Sequence, residues 1–77
     1  MDVWKSLTDI FRRVFDNEEI RIGPETTAND IEGWDSLSHV NLILAVETAF
    51  RIKFTQKELM KFRNVGDLVK SIESKFS

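Results

Sequence analysis

In this 77-residue chain a serine hydroxyl, Ser36, and an imidazole, His39, stand three residues apart. They stand in the stretch EGWDSLSHVNLI, residues 32–43. A serine hydroxyl becomes a nucleophile when a nearby base takes its proton, and histidine is the usual base. Three residues of separation put the two side chains one turn apart on a helix. His39 is the only histidine, and cysteine is absent. The sequence offers no third residue to orient the imidazole and no recognisable oxyanion site. The ring is expected to lie along the surface beside the preceding loop, as a rim residue. No Cys/His/carboxylate cluster has metal-ligand spacing, and the glycines form neither a phosphate-cradling loop nor a dinucleotide turn. The chain reads as a non-enzyme, without catalytic residues and without a metal site.

Ser36 then has two readings. A serine that opens a helix is commonly an N-cap and nothing more. It can also be an acceptor of a group added by another enzyme. A helix N-terminus presents free backbone N–H groups and the positive end of the dipole, so a phosphate bonded to a serine there is electrostatically favoured.

The elements that would hold Ser36 are legible from hydrophobic periodicity. Val3, Trp4, Leu7, Ile10, Phe11, Val14 and Phe15 recur at helical spacing and predict a first helix over residues 2–16 with Asp2 as N-cap. Residues 17–35, NEEIRIGPETTANDIEGWD, break the pattern and hold the only proline and two of the three glycines. A connection this long is expected to be ordered or functional. Ile20, Ile22 and Ile31 are expected to pin it to the core, with a short helical turn near Ala28–Ile31. RIGPE has the look of a strand fragment without a partner.

A second helix is predicted from Ser36 to Phe50. At about 100° per residue, Leu42, Ile43, Val46, Ala49 and Phe50 fall on one arc, the core stripe. Leu37, Val40 and Leu44 fall on another, on the side of Ser36. This second stripe is surplus to packing: either the long loop covers it, or it is an exposed binding patch. A short third helix follows a Thr55/Glu58 capping box, with Leu59, Met60 and Phe62 as its apolar side. The last helix starts near Val65, capped by Asn64 with Asp67 in its first turn, and carries Val65, Leu68, Val69, Ile72 and Phe76. The fold class is all-α: a small four-helix bundle with a long loop between helices 1 and 2, forming one domain over residues 1–77. The expected core unites Trp4, Leu7, Phe11, Val14, Leu42, Val46, Phe50, Leu68 and Ile72.

Charge narrows the partners. The net charge is −2, but residues 1–50 hold four bases against ten acids, whereas residues 51–77 hold seven bases against three acids. The acids are densest between Asp16 and Asp35, a patch suited to a basic protein partner and unsuited to phosphate backbones. The basic third lacks the arginine and aromatic content of a nucleic-acid binder. No run approaches the roughly 20 apolar residues of a membrane span, and Met1-Asp2-Val3-Trp4-Lys5 does not open a signal peptide. A cytoplasmic monomer with no nucleic acid and no membrane insertion is expected.

The stretch around Ser36 resembles the attachment site of acyl carrier proteins, a D-S-L/M tripeptide opening the second helix of a four-helix bundle. Asp35-Ser36-Leu37 is that tripeptide here, preceded by Gly33-Trp34 and followed by Val40, Leu42, Ile43 and Phe50. The length, the long first loop and the turn Val65-Gly66-Asp67-Leu68 agree with it. The resemblance implies a free-standing carrier whose Ser36 receives 4′-phosphopantetheine from coenzyme A, attached by a phosphopantetheinyl transferase with Mg²⁺. The arm ends in a thiol that carries acyl groups as thioesters, so the chain itself needs no cysteine. The resemblance further implies that Asp35 and Leu37 present the site to partners and that Val40, Leu44 and Glu47 extend the partner surface. It implies that Leu42, Ile43, Val46 and Phe50 line the interior where some carriers shelter a chain, and that acyl-loading and acyl-transfer enzymes are the other partners.

The sequence also departs from carriers of fatty-acid synthesis, whose second helix is strongly acidic. Asn41 and Thr48 stand where acids are frequent, His39 adds a possible positive charge, Arg51 and Lys53 follow, and Glu47 is the one acid in the helix. This favours a dedicated pathway, such as a specialised lipid, polyketide or cell-surface polysaccharide, over general fatty-acid synthesis. Two alternatives stay open. One is an aminoacyl or peptidyl carrier, although Gly33-Trp34 departs from the Gly-Gly-His/Asp-Ser-Leu form of peptidyl carriers. The other is a helical interaction domain with no cofactor.

Overall fold

A computed structural model describes residues 2–76; Met1 and Ser77, the ends of the expected domain, lie outside the described residues. Among the described residues the helices are α1 (Val3–Val14), α2 (Ser36–Phe50), α3 (Gln56–Met60) and α4 (Val65–Ser74), with a 3-10 turn at Ala28–Asp30 in the long connection. The bundle architecture is the expected one.

The side chain of Asp2 starts α1 by accepting the Lys5 N–H at 3.1 Å. Arg12 and Arg13 in its last turn suit the negative end of the dipole. The helix ends earlier than expected because Asp16 takes a left-handed φ of 50° and turns the chain away. Leu7, Ile10 and Phe11 of α1 pack into one core with Leu42, Val46 and Phe50 of α2 and with Val65, Leu68, Val69 and Ile72 of α4. Trp4 and Val14, expected in the core, are only partly buried at its edge. Ala49 is exposed, which narrows the α2 core stripe to Leu42, Ile43, Val46 and Phe50. Phe76 lies beyond the end of α4 and is more than half exposed, touching the bundle through a ring contact with Phe50.

The long connection is tied down along its length. Ile20 and Ile31 are buried, Ile22 packs against the core, and Arg12 Nε donates to the Ile20 carbonyl at 2.9 Å. The RIGPE segment is no strand, but it does find backbone partners. The Val65 N–H donates to the Thr26 carbonyl at 2.8 Å, and the Gly66 N–H to the Pro24 carbonyl at 3.0 Å. These two N–H groups belong to the first turn of α4, which has no intrahelical acceptors for them. The approach requires glycine at 66, because a Cβ there would sit 2.7 Å from the Pro24 oxygen. The loop that leads to Ser36 is thus docked on the start of α4.

α3 has five residues, too few to stand without tertiary support. Glu58 supplies much of that support. Its carboxylate accepts the Thr55 N–H at 2.8 Å, the Ser71 hydroxyl at 3.0 Å and the Lys75 ammonium at 3.0 Å. One side chain therefore caps α3 and ties it to α4. Phe54 and Phe62 pack edge to face at 5.4 Å on either side of the helix. Met60, expected on the apolar side, is 80% exposed. A single-turn helix tethered at Glu58 shows its last residue to solvent.

Candidate functional site

The mouth of α2 is built by Gly33, Trp34 and Asp35. Gly33 has φ of 88°, a left-handed conformation that costs glycine nothing. The turn it allows lets Trp34 face inward while Ser36 faces solvent. The Trp34 ring meets Phe11 edge to face at 5.2 Å and Phe15 at 6.0 Å. Asp35 is the N-cap: its backbone is extended, its Oδ1 accepts the Ser38 N–H at 2.9 Å, and its carbonyl accepts the His39 N–H at 2.8 Å. Ser36 is therefore the first helical residue and not the cap. The Ser38 N–H, joined by the Ser38 hydroxyl, holds the Asp35 carboxyl below its ordinary pKa. An anion is thus fixed beside the serine. The Ser36 side chain is exposed, and its hydroxyl has no hydrogen-bond partner among the described residues.

His39 is not the unoriented rim residue expected from spacing. The Trp34 indole N–H donates to His39 Nδ1 at 3.1 Å, and the two rings stack 17° from parallel with centroids 6.0 Å apart. Burial pushes the imidazole pKa below its ordinary value. The neutral ring is thereby favoured, which diminishes the positive charge expected from His39 on α2. His39 is not a base for Ser36: Nδ1, the unprotonated nitrogen, is already taken by Trp34.

A groove of about 500 Å³ opens beside Ser36. Trp34, Asp35, Ser36 and His39 form one side, and Phe62, Arg63 and Asn64 of the α3–α4 link form the other, with the buried Leu68 also in the lining. Leu42, Ile43, Val46 and Phe50 do not line it; they are packed in the core at 6% exposure or less. Sequence reasoning missed the far wall of the groove and the Trp34–His39 bond. The adjacency of Gly33-Trp34 to Asp35-Ser36, with His39 one turn on, was the only available signal.

The second apolar stripe of α2 is open. Leu37 is 77% exposed, Val40 56% and Leu44 55%, so the long loop does not cover it. The stripe runs from Ser36 down the helix. Glu47 at its far end is partly buried, and its Oε2 accepts the Phe54 N–H at 2.8 Å, holding the α2–α3 link. Among the described residues no group of three or more His, Cys, Asp or Glu side chains could hold a metal ion. No helix among the described residues is long and apolar enough to cross a membrane.

An exposed, unengaged hydroxyl at a helix mouth, with a partly apolar groove beside it, fits a long phosphate-linked arm. The comparisons with known proteins show the family. The family described as "Phosphopantetheine attachment site" matches residues 5–72. The acyl carrier protein of Helicobacter pylori strain 26695 is 30% identical over 73 residues, covering 95% of this chain and 94% of that protein. The acyl carrier protein of Wolinella succinogenes is 34% identical over 62 residues, covering 74% of this chain and 82% of its own. The solution NMR structure of holo acyl carrier protein from Geobacter metallireducens superposes with a TM-score of 0.92 at 50% identity, covering 99% of this chain and 87% of that one. These matches set aside the cofactor-free interaction domain. The chain belongs to the acyl carrier proteins, non-catalytic carriers that bear a 4′-phosphopantetheine prosthetic group.

Proposed function

We propose that Ser36 is the attachment residue and that the chain serves a dedicated biosynthetic pathway, not general fatty-acid synthesis. When bound, the arm supplies the thiol on which acyl groups are carried as thioesters. The observation that carries the attachment reading is the free, exposed Ser36 hydroxyl on the first residue of a helix that Asp35 caps. The cap fixes the backbone on both sides of the serine, so a modifying enzyme meets a rigid, preformed target. Phosphopantetheinyl transferases and acyl-transfer enzymes work with this family; here Asp35, Leu37, Val40 and Leu44 are the surface offered to them. Three apolar side chains in one stripe give a docking enzyme a hydrophobic anchor, and Asp35 gives it a charge to find. Glu47 joins this surface only in part, since one oxygen is committed to Phe54.

The pathway reading rests on charge. Asn41 and Thr48 are exposed, burial favours the neutral form of His39, and the single acid of α2 is partly engaged, so a basic docking patch finds little to grip along this helix. The acids lie instead in the preceding loop. The test is to isolate the holo chain from its native host and weigh the thioester it carries. A specialised acyl group supports the reading; a series of saturated fatty-acid intermediates overturns its pathway half, and an aminoacyl group overturns its acyl half.

A further inference from the structure

Trp34 does more than orient His39. A neutral imidazole carries its proton on one nitrogen, and the other accepts. Because Nδ1 accepts from the indole at 3.1 Å, the proton is on Nε2. Nε2–H is then a donor, and no second hydrogen bond engages the His39 side chain among the described residues. His39 shares its groove with Ser36, three residues back on the same helix, a spacing that places two side chains on one face. Arg63 lines the groove from the facing link. Its side chain is 90% exposed and makes only a 4.0 Å contact with Asp67, so its guanidinium is largely uncommitted.

We propose that His39 and Arg63 are positioning residues that hold the phosphodiester joining the arm to Ser36, His39 through Nε2–H and Arg63 through its guanidinium. The inference rests on Ser36 being the attachment residue. A phosphodiester is a monoanion with two free oxygens that accept hydrogen bonds, and both groups offer donors to it. Two charged side chains share the groove with His39: Arg63, which attracts the anion, and Asp35, which repels it. By donating to Nδ1, Trp34 keeps the imidazole proton on Nε2 and fixes the ring orientation, which a freely rotating histidine would lack.

The test compares the apo chain with the chain loaded from coenzyme A by a broad-specificity transferase, with loading confirmed by intact mass. Imidazole resonances of His39 and the ³¹P resonance of the phosphodiester are followed across the histidine titration range. An anion against Nε2 favours the imidazolium, so the His39 midpoint moves up on loading. The ³¹P resonance inflects at that same midpoint, separately from any Asp35 titration at lower pH. His39→Phe abolishes the ³¹P inflection, and Arg63→Gln weakens the upward move. Should His39→Phe fail to fold, the apo-to-holo comparison of the wild type still decides. A mass gain with an unmoved His39 midpoint overturns the inference and leaves Ser36 in place. No mass gain with a transferase active on another carrier overturns both.

Discussion

The indole N–H of Trp34 reaches His39 Nδ1 at 3.1 Å, spanning the four residues Asp35, Ser36, Leu37 and Ser38 that lie between them in sequence. The bond joins the end of the long loop to the first turn of α2, and it braces the segment that presents the serine.

Removing that donor is predicted to raise the His39 pKa. Burial lowers it, and a donor into Nδ1 acts in the same direction by favouring the neutral ring. Trp34→Phe keeps an aromatic cover and loses the donor. NMR titration of the His39 ring should give a higher midpoint in the variant than in the wild type. A histidine with a lowered native pKa contributes stability above its unfolded value of 6.5, and that contribution fades as pH falls through the native pKa. Mild acid should therefore destabilise the wild type more than Trp34→Phe. Identical midpoints would mean the bond has no electrostatic consequence.

Glu58 predicts a second pH window. The Thr55 N–H, followed by the Lys75 ammonium, lowers its pKa from 4.5 to about 2. A carboxylate with a lowered native pKa contributes stability above the unfolded value, and the contribution is lost as pH falls from 4.5 toward 2. Glu58→Gln should melt below the wild type near neutral pH, and the gap between the two should close through that window. Thermal melts of both proteins along a pH series check it; a gap of constant size would contradict the assignment.

Arg51 ends α2 in the left-handed conformation, with φ of 57°, and its N–H donates to the Glu47 carbonyl. A non-glycine residue in that region bears about 1–2 kcal/mol of strain. Glycine would relieve it, against about 0.4–1 kcal/mol of added freedom in the unfolded chain. Arg51→Gly is predicted to stabilise the protein by about 0.5–1 kcal/mol. Urea denaturation that shows a lower midpoint would indicate that the Arg51 side chain contributes more than its backbone costs.

The bounds of α2 were legible because Ser36–Phe50 is an apolar run free of Gly and Pro, and the caps at Asp2, Thr55 and Asn64 follow from side-chain chemistry that acts over three residues. Ser36 as the candidate residue was legible through the tripeptide it centres. The reading of Ser36 as a simple N-cap fails because Asp35 and Ser36 are both good caps, and only the extended backbone at Asp35 decides between them. Met60, Ala49 and Phe76 were placed inside because helical stepping ignores where a short helix is tethered and where a helix ends. The docking of Pro24 and Thr26 on Gly66 and Val65, and the far wall of the groove, join segments distant in sequence. No local pattern encodes such a meeting.

Charge on α2 sets the expected choice of partner. With Asn41 and Thr48 exposed and uncharged, the loaded carrier should be a poor substrate for a fatty-acid ketosynthase with a basic docking patch. Converting both residues to Glu should raise the elongation rate, and added salt should erase the gain, because exposed charges are screened over about 10 Å at 0.1 M. Equal and fast rates for wild type and double variant would remove the main support for a dedicated pathway.

Whether Ser36 bears the arm is decided by intact mass after incubation with coenzyme A and a broad-specificity transferase. Ser6, Ser38, Ser71, Ser74 and Ser77 lack the Asp-Ser-Leu setting, and Ser77 lies outside the described residues. Since Asp35 and not Ser36 is the cap, Ser36→Ala should change stability by no more than about 0.5 kcal/mol, whereas Asp35→Ala should cost about 0.5–2 kcal/mol. One phosphopantetheine mass is expected on the wild type and none on a folded Ser36→Ala; a phosphopantetheine mass on Ser36→Ala would rule out Ser36 as the attachment residue.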